Sequence, residues 1–386
     1  MDKNSKISFI SVKNAELSDL SVMLREKCAS LSAVLHPVSF KAVKEIIKIV
    51  NAYYSCKSDG HEIDPAEIEK SLSGKYSRKS SKRLMQKEAA AYFETEIEID
   101  DKILNEPNIN ICSYEFIAWI HGRLFEKLPD EFKRLRGRNS KIIYLIPGEL
   151  RKEDIFNGNG FAKAKQIRKL LFRFEELFNP VRFSLTDLPA ASALAHTMLS
   201  WIHPFPAWNY AVLRLFTNAY FKKCGLKAEL FSFNRAVSNQ TVKYNLVISE
   251  SFRQIKNLHS VEHIEHDESL TAYCRFFLQT AIDETGYMLN ILNHENVMQR
   301  LNIYINRLIS KGEVRDESRL MLKTVFLSGE LKRGEVLQLT GRPERTARRI
   351  LGELLGKRML ISDTPKGPVR INLSVNSAIE LFEGLF

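Results

Sequence analysis

The sequence lacks several features that would place it in a special class of protein. No apolar stretch approaches the roughly 20 residues needed to cross a bilayer, and the opening Met-Asp-Lys-Asn-Ser-Lys is not a secretory signal. No two cysteines form a C-x-x-C pair; the five are Cys28, Cys56, Cys112, Cys224 and Cys274. These absences argue against a membrane protein, a disulfide framework and a zinc finger. We expect a cytoplasmic protein with reduced thiols and no membrane partner.

The composition is that of a folded globular protein. Of the 386 residues, 44% are hydrophobic and 27% are charged, and this length predicts two or three domains rather than one core. The 57 Lys and Arg residues outnumber the 46 Asp and Glu residues, so the formal net charge is +11. Such a surplus suits a polyanionic partner, although solubility alone also accounts for it.

Hydrophobic residues recur mainly at the spacing of amphipathic helices, which predicts a mainly α-helical fold. One helix is predicted to end in a turn-like segment at residues 55–60, and the next to begin at Pro65 with Asp64 as its cap. Further helices are predicted near residues 117–128, 194–202, 209–225, 269–292 and 296–311.

Two short segments interrupt this helical pattern. Residues 141–146 are β-branched and aromatic and are followed by Pro147-Gly148, which predicts a short strand. The helix at 194–202 is predicted to end at His203-Pro204, because the proline ring removes an amide donor and restricts the preceding residue.

The last seventy residues look like a separate module. Between Met321 and Arg370 there are eleven basic residues and five acidic ones, a surplus of six. Residues 333–339 and 343–355 are predicted to form two helices joined by a turn. Residues 361–373, turning at Lys366-Gly367, would add a two-stranded wing.

The second helix of this module combines an apolar face with a basic one. Its predicted apolar face holds Ala347, Ile350, Leu351 and Leu354. Arginine pairs with phosphates and with guanine edges, so DNA is a candidate partner. The candidate DNA contacts are Arg342, Arg345, Arg348, Arg349 and Lys366. The alternative is a packing module whose arginines are merely solvated.

A signature occupies the middle of the chain. Residues 203–214 read His-Pro-Phe-Pro-Ala-Trp-Asn-Tyr-Ala-Val-Leu-Arg. They resemble the motif of the Fic (Fido) family, His-Pro-Phe-x-(Asp/Glu)-Gly-Asn-Gly-Arg-x-x-Arg. The likeness extends to Ala-x-Ala-His196 before the motif and to the segment ending at Gly225-Leu226 after it.

Other segments are similar to the same family. Residues 147–151 resemble the region of its substrate-docking flap, and residues 51–60 resemble its amino-terminal inhibitory motif, Ser/Thr-x-x-x-Glu-Gly/Asn. The helix around Arg275–Leu278 and the carboxy-terminal module resemble the tail of multidomain bacterial members. The resemblance covers most of residues 35–375.

Family members usually transfer AMP from ATP to a Ser, Thr or Tyr hydroxyl of a target protein, with Mg²⁺. The resemblance therefore implies a mainly α Fic core with a short β-hairpin flap, and a target protein docked near Tyr144–Pro147. It implies His203 as the general base, and Asn209 and Arg214 as retained nucleotide-binding positions.

Four motif positions differ from the family. By the resemblance, Ala207 replaces the Mg²⁺-binding acid, Trp208 and Tyr210 replace the two glycines, and Ala211 replaces the first arginine. Alanine cannot ligate a metal, and the large rings would close a phosphate cradle that needs bare backbone. Since losing one transition-state donor costs about 10²–10³ in rate, we predict little or no AMP transfer and expect no cofactor.

The inhibitory-motif positions and the retained residues can also be interpreted as purely structural. Ser55 and Gly60 match the amino-terminal motif, whereas the shorter Asp59 replaces its Glu. Asp59 would then pair with Arg214 as a structural bridge. His203 would be a relic, and Asn209 could cap the following helix.

Two further patterns resemble binding motifs but do not predict a binding site. His259, His263 and His266 have a spacing that could gather a metal on a helix, but their polar surroundings favour a solvated loop. The stretch 157–160, Asn-Gly-Asn-Gly, lacks the Lys-Ser/Thr of a phosphate loop and is typical of a surface turn.

These observations predict four regions. They are an amino-terminal helical region (1–110), a Fic/Fido core (111–262), a helical extension (263–315) and a winged helix-turn-helix (316–376). We predict a regulatory or binding protein that has lost AMP transfer and binds DNA. One alternative is an active AMP transferase; another is a scaffold whose cleft, lined by Trp208 and Tyr210, holds an apolar partner segment. An oligomer is left open.

Overall fold

The computed structural model describes residues 12, 14–34, 37–136, 142–155, 160–258 and 267–386. In this part of the chain the backbone is mainly helical, which confirms the predicted fold class. The first elements are α1 (Ala15–Ala33), α2 (Pro37–Ser58), α3 (Pro65–Leu72), α4 (Ser80–Asn105), α5 (Tyr114–Lys127), β1 (Arg134–Arg136), β2 (Ile142–Tyr144), α6 (Ile167–Phe178), α7 (Leu188–Ile202) and α8 (Asn209–Lys223).

The second part of the chain continues the helical pattern and adds a small sheet. Its elements are α9 (Phe233–Ser238), α10 (Thr241–Ile255), α11 (Glu268–Leu292), α12 (His294–Ser310), α13 (Ser318–Ser328), β3 (Glu330–Leu331), α14 (Arg333–Gln338), α15 (Glu344–Gly356), β4 (Leu360–Ile361), β5 (Val369–Ile371) and α16 (Val375–Leu381). The predicted histidine cluster (His259, His263 and His266), Lys141 and residues 157–159 lie outside the described residues.

Helix α2 is longer than its sequence predicts. Residues 55–58, predicted as a turn, are its last turn, and the chain leaves the helix only at Asp59 and Gly60. Ser55 and Cys56 are buried, so tertiary packing holds this polar segment helical against its weak local preference. The predicted cap of α3 is confirmed, because an Asp64 carboxylate oxygen accepts the Ala66 amide at 2.8 Å.

Helix α7 is the centre of the core. All its residues are buried, and small side chains such as Ala190, Ala191 and Ala195 let neighbouring helices approach closely. Helices α6, α8, α10 and α11 pack around it. Its carboxyl end, where the signature residues begin, is therefore held from several sides.

Helix α1 lies along α11 and buries one leucine per heptad. Leu17, Leu24 and Leu31 are fully buried in the shared core, as a seven-residue apolar repeat predicts for helices that cross at a shallow angle. On the surface, Arg275 of α11 donates to both carboxylate oxygens of Glu16. The amino-terminal helix is thus an integral part of the helical body.

The strands form two small antiparallel sheets. Strands β1 and β2 pair with Leu135 opposite Ile143, as the hairpin prediction required. In the carboxy-terminal part, the strand order is β3-β5-β4; the β4–β5 pair was predicted, whereas the two-residue β3 is too short to leave a sequence pattern. Helices α13 and α15 pack beside this sheet and α14 packs on α15, and the assignment of this module as a winged helix remains a prediction.

Helix α16 leaves the carboxy-terminal module and packs back on the body. It contacts α12 and α3, and Glu380 accepts two hydrogen bonds from Arg307 at 2.6 and 2.7 Å. The domain limits stay a prediction. Across the described ranges, no helix combines the length and the apolar character needed to span a bilayer.

The packing of α1 generates a stability prediction. Replacing the fully buried Leu24 with Ala should lower the free energy of unfolding by about 2–5 kcal/mol, because it removes apolar contact and leaves a cavity. The neighbouring Met23 is 44% exposed, so Met23→Ala is the matched control and should change stability by less than about 0.5 kcal/mol. Urea unfolding followed by circular dichroism measures both; equal effects would contradict the packing of α1 described above.

Candidate functional site

The signature residues form a tight loop between α7 and α8. The α7–α8 loop, residues 203–208, begins with His203 and ends with Trp208, and both have left-handed backbone (φ +47° and +62°). The Asn209 side chain closes the loop, accepting the Phe205 amide at 2.8 Å and donating to the Phe205 carbonyl at 2.7 Å. The interpretation of Asn209 as a helix cap is therefore wrong: Trp208 occupies the cap position.

Trp208 keeps a backbone conformation that favours glycine while carrying the largest side chain. A left-handed φ costs an L-residue roughly 1–2 kcal/mol, which the surroundings must offset. The indole packs edge-on against Phe132 with ring centroids 5.4 Å apart, and its N–H donates to the Phe132 carbonyl at 3.3 Å. Trp208 thus fastens the loop to the segment that leads into strand β1.

Arg151 clamps the other end of the loop. Its guanidinium donates to the carbonyls of His203 at 2.7 Å and Glu153 at 2.9 Å, and also to Ala162. Its backbone N–H donates to the Pro204 carbonyl at 2.9 Å. A cation at the carboxyl end of α7 also complements the helix dipole. In the sequence, Arg151 was noticeable only as the last residue of the flap-like segment 147–151. Its hydrogen bonds to the α7–α8 loop were not predicted.

The His203 imidazole lies between two aromatic rings. Phe161 stacks on it at 4.1 Å between centroids, and Tyr210 meets it edge-on at 5.3 Å. Burial, and then the positive charge of Arg151, lower the pKa of His203 to about 4. The ring is therefore neutral at pH 7, and both of its neighbours limit access to it.

His121 joins the loop to the Pro147-Gly148 turn. Its Nδ1 accepts the Gly148 amide at 2.8 Å, and its ring stacks on Phe205 at 4.1 Å. Gly148 has φ +73°, and a Cβ there would lie 3.1 Å from the Ala118 carbonyl oxygen, so this contact requires glycine. Burial lowers the pKa of His121 to about 4, which keeps Nδ1 free to accept.

Arg214 reaches from α8 to the end of α2. It forms an ion pair with Asp59, and it donates to the Ser55 hydroxyl at 3.0 Å and to the Ser55 carbonyl at 3.3 Å. Burial is the largest single effect and opposes its charge, but Asp59, together with Tyr92 and Cys56, outweighs burial and raises the pKa of Arg214. The predicted bridge between these residues is present, and exposed Gly60 (φ +82°) lets the chain turn away after it.

A second ion pair supports the Asp59 segment and was not predicted. His61 Nδ1 lies 2.6 Å from an oxygen of the buried Glu88, and this neighbouring carboxylate raises the pKa of His61. The imidazole also stacks on Phe132 at 5.7 Å. Because Phe132 holds Trp208, the end of α2 and the α7–α8 loop share one support.

A cavity of about 400 Å³ opens beside Arg214 and Tyr210. Its wall includes His196, which hydrogen-bonds Thr217 at 2.7 Å and Tyr244 at 2.7 Å. Of the two rings predicted to close a phosphate cradle, Tyr210 lines this cavity, whereas Trp208 packs against Phe132. The cleft lined by both rings stays a prediction.

Several predicted site residues are close together, and others are not. Around the cavity and loop the structure gathers Ser55, Asp59, His203, Asn209, Tyr210 and Arg214. Ala207 is half-buried with no donor for a metal, and Ala211 is buried. In the ranges described, no three His, Cys, Asp or Glu side chains cluster as metal ligands do.

The five basic candidates lie together on the carboxy-terminal module. Arg342 precedes α15, contrary to its predicted place on the helix face, and pairs with Glu317 at 3.1 Å. Arg348 pairs with Glu344. Arg345, Arg349 and Lys366 are exposed, and within the described chain the side chains of these three residues have no hydrogen-bond or ion-pair partner.

The depressed pKa of His121 generates a pH prediction. The unfolded chain protonates this histidine near its ordinary pKa of 6.5, whereas the folded chain resists until about pH 4. Stability from this group is therefore full above pH 6.5 and is lost as the pH falls toward 4. His121→Gln keeps an acceptor for Gly148 and should make the loss of unfolding free energy between pH 7 and 4 smaller by about 3 kcal/mol.

Exposed His294 at the start of α12 provides the control. His294→Gln should leave the pH dependence of the free energy of unfolding, measured by urea titration at each pH, as it is in the wild type. A His121→Gln curve parallel to the wild-type curve would mean that His121 does not carry this loss.

Comparisons with known proteins agree with this geometry. Residues 111–221 match the sequence profile of the Fic/DOC family, while no curated protein matches the chain. The chain is similar to the structure of a Fic family protein from Desulfovibrio desulfuricans G20, with 14% identity and a TM-score of 0.52 over 93% of this chain and 96% of the other. It is also similar to a Fic domain containing signaling protein from Bacteroides thetaiotaomicron VPI-5482 (11% identity, TM-score 0.53, 69% and 95% covered).

A eukaryotic structure shares the same architecture. Fic-1 from C. elegans is 12% identical, with a TM-score of 0.51 over 70% of each chain. At identities this low, the structural similarity establishes only the fold. The profile match establishes the family of the central segment. Residues 111–221 of this chain, which hold the α7–α8 loop, form a Fic/DOC family domain.

Proposed function

We propose that this protein is a regulatory binding protein that has lost AMP transfer and that contacts nucleic acid through its carboxy-terminal module. Fic domains generally transfer AMP or other groups onto proteins, so the first question is what remains of a phosphate site. The observation that carries the proposal is the state of Arg214: the one cation among the described residues lining the cavity is already paired with Asp59.

Charge balance argues against a triphosphate in the cavity. A nucleotide triphosphate needs Mg²⁺ and several oriented donors to meet its charge. By the family resemblance, position 207 would hold the metal, and its alanine supplies no ligand. With Arg214 neutralised by Asp59, a triphosphate would enter a site of no net positive charge.

The surroundings of His203 support the same conclusion. A general base must reach the acceptor hydroxyl within hydrogen-bond distance, and it is most effective with a pKa near the working pH. His203 is covered by Phe161 on one face and flanked by Tyr210, and its pKa of about 4 makes it a weak base. Tyr210 would have to swing away before a substrate could approach.

The first test measures AMP transfer directly. We expect incubation with ATP labelled in its α-phosphate, with Mg²⁺ or Mn²⁺, to give no protein-bound label that depends on His203. Asp59→Ala frees the Arg214 charge and should still give none, because the metal ligand at 207 remains absent. The measurement is autoradiography of the purified protein and of a cell lysate.

His203→Ala is the control for this assay, since label that persists in this variant does not come from the signature chemistry. Label that appears in the wild type or in Asp59→Ala and disappears when His203 is also replaced would refute the loss of AMP transfer.

The nucleic-acid part of the proposal rests on α15. Its buried face packs on the module through Ala347, Ile350 and Leu354, which leaves the opposite face in solvent. Arg345 and Arg349 on that face have no acidic partner within the described chain. Unpaired guanidinium groups on an exposed helix are free to bind phosphates or guanine edges in a major groove.

The pairing pattern of the arginines supplies a matched test. We expect a random-sequence DNA duplex to bind at low salt with an affinity that falls as salt rises. Arg345→Ala with Arg349→Ala should weaken binding and reduce the salt slope by about two. Arg342→Ala with Arg348→Ala removes the same charge from residues already paired with acids, and should have a smaller effect. Fluorescence anisotropy of a labelled duplex measures both.

The DNA proposal fails if the wild type does not bind the duplex at low salt. It also fails if the two double variants lose affinity equally, because net charge rather than the α15 face would then explain the binding.

A further inference from the structure

A second cavity lies far from the signature residues, where the carboxy-terminal module meets the helical body. It has a volume of about 310 Å³, which is at the small end of ligand pockets. Its wall is built from α3, α12, α13, the turn after α15, the segment after β5, and α16. A molecule bound there would contact both the body and the module.

The inner wall of this junction cavity is apolar. It is formed by Leu301, Ile305, Leu322, Phe326 and Leu381, all of which belong to the core. Tyr304, Met359 and Leu373 complete the lining. A hydrocarbon group placed against these side chains would be removed from water, which is favourable in proportion to the area covered.

The rim of the junction cavity is basic. It carries four cations, and two of them are occupied: Lys70 pairs with Glu67 at 2.6 Å, and Lys357 donates to the Glu313 carbonyl. The side chains of Lys75 and Arg358 have no hydrogen-bond or ion-pair partner within the described chain, and only their backbone groups are hydrogen-bonded.

The cavity also has a carboxylate, but it is not paired with these cations. Glu69 accepts the Val375 amide at 3.3 Å, and burial raises the pKa of Glu69. The rim therefore has an excess of positive charge above an apolar floor.

Arg358 occupies a position where glycine is expected. It follows the carboxyl end of α15 with φ +56°, and the Met359 amide donates to the Leu354 carbonyl at 3.0 Å, as in a Schellman cap. Glycine is common at this left-handed position because an L-residue is strained there. A strained backbone at a residue with a long cationic side chain is an observation that points to a binding role for that side chain.

We propose that the junction cavity binds a small amphiphilic carboxylate, with the alkyl group against the apolar floor and the carboxylate between Lys75 and Arg358. Arginine and lysine both bind carboxylates through charge-assisted hydrogen bonds, and arginine can do so through two at once. The occupant is thus a short-chain acyl acid rather than a polyanion, because the other two cations of the rim, Lys70 and Lys357, are already occupied and would not meet a second charge.

Calorimetry of the full chain with octanoate tests the proposal, with octanamide as the uncharged match. Octanoate should bind one molecule per chain, and octanamide should bind about tenfold or more weakly, since it lacks the charge-assisted contact. Lys75→Gln should weaken octanoate binding to a similar degree. Arg83→Gln, on the exposed part of α4 and outside the cavity, should leave it unchanged.

Arg358→Gly separates a binding role from a structural one. Because glycine relaxes the left-handed backbone, the melting temperature of the ligand-free variant should stay the same or rise, while octanoate affinity falls about tenfold. The proposal is overturned if octanoate gives no saturable heat, if octanamide binds equally well, or if Arg358→Gly keeps full affinity. A lower melting temperature for Arg358→Gly would likewise overturn it, since Arg358 would then be a structural residue.

Discussion

The ion pair between Arg214 and Asp59 is the contact on which the rest of the central site depends. It joins α8, the helix after the signature loop, to the last turn of α2, and it uses the positive charge that faces the cavity. The Ser55 hydroxyl and carbonyl complete the hydrogen bonding of the guanidinium. A buried charge without such partners would be strongly unfavourable, so the end of α2 cannot move away without exposing this arginine to solvent or to another anion.

The loop between α7 and α8 keeps its shape through a few specific contacts. Asn209 closes it, Arg151 holds its first carbonyls, and Trp208 maintains a glycine-like backbone by anchoring its ring on Phe132. These contacts concern backbone geometry rather than phosphate chemistry. The conformation of this loop therefore depends on packing and backbone hydrogen bonds, which is why geometry and activity have to be tested separately.

Much of the fold was predictable from the sequence because the helices have strong apolar periodicity, as α5, α8 and α11 illustrate. The extension of α2 through Ser55 was missed because polar residues there are held by burial, which a local pattern cannot reveal. The pairing of Arg214 with Asp59 followed from the family resemblance, whereas its hydrogen bonds to Ser55 were not predicted. The roles of Arg151 and His61 did not follow from it, because their contacts join residues distant in the chain, and no local spacing signals that Phe132 supports both His61 and Trp208.

The return of α16 onto α3 and α12 has a mechanical consequence. The carboxy-terminal module is tethered at both its entry and its exit, with Arg307 and Glu380 fixing the exit. A module tethered at one end sweeps a wide volume, whereas this one is held at both ends and also along its side, because α2 contacts α13 and β5. A force applied to α15 would therefore be transmitted to the helical body rather than dissipated in a swinging linker.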